Sequence, residues 1–181
     1  KLDFIIYFHI NRVLFDFNLK KTSRLSSFDL VAYLLSCAIL KKLDKEKIEY
    51  IKYAVDGQID KLGMHRSYNL LEHSKFINNL KEIRNILLFF KSKKSNIFDE
   101  TLLKMTSILN EYFHVDGTLP LFNGTNNVYT KSISDSINKE NYLKKREFSN
   151  ISNGIAFYSD KNKKIFFDVV QPNSDMVSSN L

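Results

Sequence analysis

Apolar residues recur at helical spacing up to about Phe113, and the period shortens to alternation only near the other end of the chain. The first segment, Leu2 to about Phe17, is densely apolar (Ile5, Ile6, Phe8, Ile10, Val13, Leu14, Phe17) and is interrupted by His9, Arg12 and Asp16. It is too short to cross a bilayer. It predicts a helix buried over most of its surface, with His9 in the core or between helices. After a polar connection over Lys20–Arg24, Ser26 precedes Asp29 by three residues, the spacing of a capping box. The stripe Phe28, Val31, Leu34, Leu35, Ala38, Ile39, Leu43 follows. Asp44 is placed to cap a third helix with the stripe Ile48, Ile51, Val55, Ile59, Leu62, which Gly63 would end. A long helix is expected after Ser67, carrying Leu70, Phe76, Ile77, Leu80, Ile83, Leu87 and Leu88. Lys91–Asn96 forms a basic turn. A last helix begins near Asp99 with Leu102, Met105, Leu109, Tyr112 and Phe113 inward. Short loops imply antiparallel neighbours, so the fold class is mainly α, built of stacked helical hairpins.

The pattern breaks at His114–Gly124. Asp116-Gly117 and Asn123-Gly124 are turn dipeptides, because glycine accepts positive φ without a steric penalty. Between them Leu119, Leu121 and Phe122 lie in a stretch too short for a helix. They are expected to bury, with Gly117 or Gly124 at positive φ. Val128 to about Arg146 is polar and weakly patterned. Ile155–Tyr158 and Ile165–Val170, separated by a charged loop, read as a β-hairpin, with a short segment Phe148–Gly154 ahead of it. Two or three strands do not stand alone, so they are expected to open a larger β-domain. The chain starts at Lys1 and stops after strand-like sequence, which reads as an internal piece of a longer protein.

Composition changes this picture little. At 44% hydrophobic and 26% charged, the chain has the balance of a soluble globular protein. A net charge of +7 suggests an anionic partner: nucleic acid, a membrane surface or an acidic polysaccharide. The lysine pairs are scattered, however, and no aromatic-interleaved basic stripe accompanies them, so a basic nucleic-acid-binding module is the weakest reading. A bias to Lys, Asn, Ile, Phe and Tyr also arises from AT-rich coding without selection for binding. The single Cys37 sits in an apolar helical run and reads as a core thiol. It excludes an intrachain disulfide or a cysteine zinc site. Five unclustered glycines give no phosphate loop, and no metal-ligand spacing is found, so neither metal nor cofactor is expected.

Candidate chemistry concentrates in His65-Arg66-Ser67-Tyr68-Asn69, just before the long helix. Arg66 can hold a carboxylate or sulfate through two N–H groups. Tyr68 and His65 are candidate proton carriers, and Asn69 completes the cluster as a binding residue. The bland alternative is a capped loop, with Ser67 as N-cap, Arg66 on the surface and the Tyr68 ring packed. His73 reads as a helix-surface histidine. His114 and Asn123 flank the later loop and could meet sugar hydroxyls, although holding its own turn by side-chain to backbone bonds is the better reading of Asn123.

The stretch His114-x-Asp116-Gly117-x-Leu119-x-Leu121-Phe122-Asn123-Gly124, set between helical hairpins and strands, resembles the heparinase II/III-like proteins at the junction of their α/α toroid and β-sandwich. Arg66-Ser67 ahead of a long helix is a second, shorter point of likeness. The resemblance implies that residues 1–127 end a toroid, 128–146 connect, and 147–181 begin a sandwich that is truncated here. It further implies a polysaccharide lyase acting by β-elimination on a uronic-acid-containing polymer, in the periplasm or cell envelope. Catalysis would fall to Tyr68 and His65, and binding to Arg66, Asn69, His114 and Asn123. The Tyr-His pair usual in such lyases is replaced by Leu70 and Leu71, so a non-catalytic glycan-binding relative is the alternative. The oligomeric state is left open.

Overall fold

The computed structural model describes residues 2–19, 25–114, 116–121, 151–152, 155–159 and 164–168. Five helices come first: α1 Leu2–Leu19, α2 Ser27–Ile39, α3 Lys45–Asp56, α4 Leu70–Phe89 and α5 Asp99–Glu111. Three short strands follow: β1 Ile151–Ser152, β2 Ile155–Ser159 and β3 Lys164–Asp168. The protein is therefore mainly helical, with helix before residue 113 and strand after residue 150, as the change of apolar period predicts. Contacts divide it into two compact units. Lys1–Ile59 with Phe76–Leu102 form the first, and Asp60–Lys75 with Leu103–Leu181 the second.

In the first unit the caps predicted from sequence are formed. The Ser26 hydroxyl accepts the Asp29 N–H at 3.1 Å while an Asp29 carboxylate oxygen accepts the Ser26 N–H at 2.9 Å, which closes the capping box of α2. Asp44 accepts the Lys47 N–H at 2.9 Å and starts α3. Leu30, Leu34, Ile51, Val55, Leu80, Ile83, Leu87, Phe98 and Leu102 are fully buried and form the core, with Cys37 among the buried residues. The Phe17 ring stacks on Tyr33 at 3.8 Å between centroids, and Tyr50 meets Phe17 edge-on.

Several expectations fail here for identifiable reasons. Helix α1 exists, but Phe4, Ile5, Ile6, Tyr7, Phe8, His9 and Phe15 are exposed, and among its described side chains Phe17 alone is buried. An apolar run without a period states a preference for burial; it does not supply the surface that covers it. On α2 the inward face is Leu30, Tyr33, Leu34, Cys37 and Ala38. Phe28 at 70% exposure, Leu35 and Ile39 therefore turn outward, because the stripe runs one residue away from the one read from sequence. Helix α3 ends at Asp56 with Gly57 as C-cap, and Gly63 plays no part in ending it. Leu62 is consequently exposed, as is Leu88 near the end of α4.

Two helix ends of the first unit share one construction. Lys41 after α2 and Lys91 after α4 have φ of 55° and 53°. The N–H of Lys42 reaches the Cys37 carbonyl at 2.8 Å, and the N–H of Ser92 reaches the Leu87 carbonyl at 2.8 Å. Both are Schellman caps with lysine where glycine is usual, a strain of about 1 kcal/mol each.

Among the described residues of the second unit, Met64, Leu70, Met105, Ile108, Leu109, Tyr112 and Leu119 are the buried apolar ones. Gly63 has φ +98°, and a Cβ placed there would stand 2.9 Å from the Lys104 Cβ, so this turn and α5 approach as closely as a glycine permits. Gly117 has φ +79° and Leu119 is buried, as expected of the loop, whereas Leu121 is 57% exposed. Leu119 and Pro120 are both buried and Leu121 is exposed, so the segment does not keep the period of two that would have put Leu119 and Leu121 on one side. Phe122, Asn123 and Gly124 lie outside the described residues. The strands form one antiparallel sheet in the order β1-β2-β3, with Phe157 opposite Phe166. The Lys164 ammonium donates to the carbonyls of Glu111 at 3.2 Å and Phe113 at 3.1 Å.

Candidate functional site

The cluster His65–Asn69 lies wholly in the second unit and is assembled by local hydrogen bonds. Asp60 organises the approach: its Oδ1 accepts the N–H groups of Leu62, Gly63 and Met64 at 2.8–2.9 Å. That single carboxylate shapes the turn at Gly63. The N-cap of α4 is Asn69, whose Oδ1 accepts the N–H of Leu71 at 2.8 Å and of Glu72 at 3.1 Å. Ser67, expected in that role, instead accepts the Asn69 N–H and pairs with the His65 ring at 2.8 Å. The anion-attracting start of α4 is thus already occupied by a side-chain oxygen.

His73 corrects the surface reading most sharply, since it is 0% exposed. Its Nδ1 accepts the His65 N–H at 3.1 Å, and its Nε2 lies 2.9 Å from the Met105 carbonyl oxygen. A backbone N–H can only donate and a carbonyl can only accept, so the ring is the neutral Nε2–H tautomer. Burial lowers its pKa to about 4; the Met105 carbonyl works against this, and the nearby His65 adds to it. His73 is a structural strut between the loop and α5, with both nitrogens engaged.

His65 is itself half-buried, and burial depresses its pKa, with Glu72 partly offsetting the effect. The Ser67 N–H points at its Nδ1 from 3.3 Å, so that nitrogen is an acceptor and Nε2 carries the proton. Neutral His65 is therefore a donor at Nε2, and its basic lone pair is turned into the loop. Tyr68 has φ +52°. Its pKa is raised by burial first, then by the charge of Asp60 and the hydrogen bond to it, against a smaller pull from Arg66. Arg66 is exposed.

The structure thus brings His65, Arg66, Tyr68 and Asn69 together in one loop. His114 is placed elsewhere in the second unit: its N–H donates to the Thr118 carbonyl, and its ring packs edge-on against Phe166 at 5.0 Å. Asn123 is outside the described residues. Sequence reasoning missed Asp60 and His73, which hold the loop. The Asp-x-x-Gly spacing of Asp60 and Gly63 was the available signal for the first. No group of metal-ligating side chains occurs among the described residues, and no helix among them is long and apolar enough to cross a membrane. No family model, curated protein or solved structure matches this chain.

Proposed function

We propose that this chain is part of a heparinase II/III-like polysaccharide lyase, with the end of an α/α toroid followed by the opening of a β-sandwich, acting on a uronic-acid-containing polysaccharide in the cell envelope. One observation carries the reading. In the described part of the motif loop after α5, Gly117 is at positive φ and Leu119 is buried. The arriving strand β3 ties back to the end of α5 through Lys164. A contact of this kind between a helix end and an arriving strand supports the reading of a helical part joined to a β part. Arg66, exposed in the loop before α4, carries the guanidinium that would meet a uronate carboxylate, and the neutral His65 ring would hydrogen-bond the leaving oxygen. The test is absorbance of the unsaturated uronate product. Tyr68→Phe is expected to abolish turnover with binding retained, and Arg66→Ala to weaken binding of the acidic polymer. If both variants turn over and bind like the parent, the site lies elsewhere.

A second reading, a glycan-binding relative without catalysis, is favoured by a specific observation. β-Elimination needs a base, and here the Tyr68 hydroxyl is bonded to Asp60 with a raised pKa while both nitrogens of His73 are sealed. Saturable binding of a uronate polymer without any rise in product absorbance would establish this reading over the first.

A further inference from the structure

The end of the first unit carries a surface that neither reading uses. An open cavity of about 230 Å³ is lined by Ala38, Lys41, Leu43, Ile48, Phe90 and Ser92, so the turn after α2 and the turn after α4 lie side by side. Around it the last three residues before the second cap are all exposed: Leu88, Phe89 at 80%, and Phe90. Successive helical residues differ in direction by about 100°, so exposure of three in a row means that this helix end projects from the unit. Ile39 is exposed at the end of α2. Lys41, Lys42, Lys91 and Lys93 flank these apolar side chains and are all exposed. The neighbouring carboxylates are occupied elsewhere, Asp44 with Lys47 and Glu49 with Lys94, which leaves Glu46 as the one exposed acid in the first turn of α3. Two of the four lysines sit at positive φ, where glycine would be free of strain.

We infer that this paired helix end is a contact site for an anionic lipid surface, with Phe89, Phe90 and Leu88 entering the acyl boundary and the four lysines meeting the headgroups. Aliphatic and phenyl side chains ringed by ammonium groups match a bilayer interface, where apolar burial and headgroup attraction add. An acidic glycan would call for amide and hydroxyl hydrogen-bonders, and Ser92 is the only such side chain lining the cavity. A second copy of the chain would set these lysines against like charges.

The test is co-sedimentation of the chain with vesicles of phosphatidylcholine alone and of phosphatidylcholine mixed with phosphatidylserine. Retention is expected on the mixed vesicles only, and is expected to fall with added salt. Lys41→Gly with Lys91→Gly removes two charges and relieves the positive-φ strain. The double variant should melt no lower than the parent and lose affinity about 25-fold, about fivefold for each lysine. Phe89→Ser should weaken retention by about tenfold at an unchanged melting temperature. Equal retention on both vesicle types, or variants that bind like the parent, would overturn the inference. So would heparin binding lost in these variants without vesicle retention, or a parent dimer that Phe89→Ser converts to monomer.

Discussion

The two ends of α4 solve the same problem in opposite ways. At its start, Asn69 caps the helix, and His73 is buried between a backbone donor and a backbone acceptor, so polar groups fix one geometry. At its finish, Leu87 is sealed in the core of the first unit, while Leu88, Phe89 and Phe90 stand in solvent beyond it. A buried polar contact stabilises only when every member is satisfied, and it then specifies position strictly. An apolar side chain stabilises only if something covers it. Polarity along this helix is therefore a poor guide to burial, and the partner available at each position decides.

The largest effect should separate neighbours at the finish of α4. Leu87→Ala removes a fully buried side chain and should cost about 3 kcal/mol. Phe89→Ala, two residues on, should stay within about 0.5 kcal/mol, since its ring is solvent-exposed. Urea midpoints at constant slope measure both. Comparable losses at the two positions would mean that Phe89 is covered, and the contrast between the ends would fail.

The start of α4 should respond to pH where its finish does not. The folded pKa of His73 lies at about 4, below its ordinary value of 6.5. Between these values the unfolded chain binds more protons than the folded one, so stability rises with pH across the window. The contribution is complete above about 6.5, is lost as pH falls toward about 4, and amounts to about 3 kcal/mol. His65 acts in the same direction. Denaturant titrations through this range should show the slope in the parent and a much shallower one in His73→Leu, which forgoes the two hydrogen bonds at every pH. An unchanged slope in the variant would assign the effect to other groups.

A smaller loss than at Leu87 or His73 should come from the cap. Asn69→Ala leaves the N–H groups of Leu71 and Glu72 without their side-chain acceptor and should cost about 1 kcal/mol. Ser67→Ala should cost less. If Ser67→Ala cost more, Ser67 would be the more important hold on the helix start.

How much of this could be read from sequence depends on the range of the interaction. The Ser26–Asp29 box, the Asp44 cap and the Ile155–Ser159 and Lys164–Asp168 hairpin were legible because their partners lie within a few residues. The composition of the His65–Asn69 loop was legible for the same reason. The burial of His73 was not, because its partner is the carbonyl of Met105, 32 residues away, and a carbonyl carries no residue signature. The end of α3 was misplaced because Gly57 and Gly63 are equal as letters. What distinguishes them is Asp60, which gathers three N–H groups into a turn around the second. The exposure of α1 was illegible because apolar density alone names no neighbour.

The reach of Lys164 to the end of α5 has a consequence for the order in which the protein assembles. Its hydrogen bonds to Glu111 and Phe113 span 53 and 51 residues. On a chain emerging from the ribosome, α5 can wind as soon as it appears, but these two carbonyls must be served by water until β3 has been synthesised. The carbonyls of Glu111 and Phe113 then exchange water for a protein donor only once the hairpin has arrived. A chain stopped before Lys164 would carry a frayed helix end, and the hairpin would act as the latch that closes it.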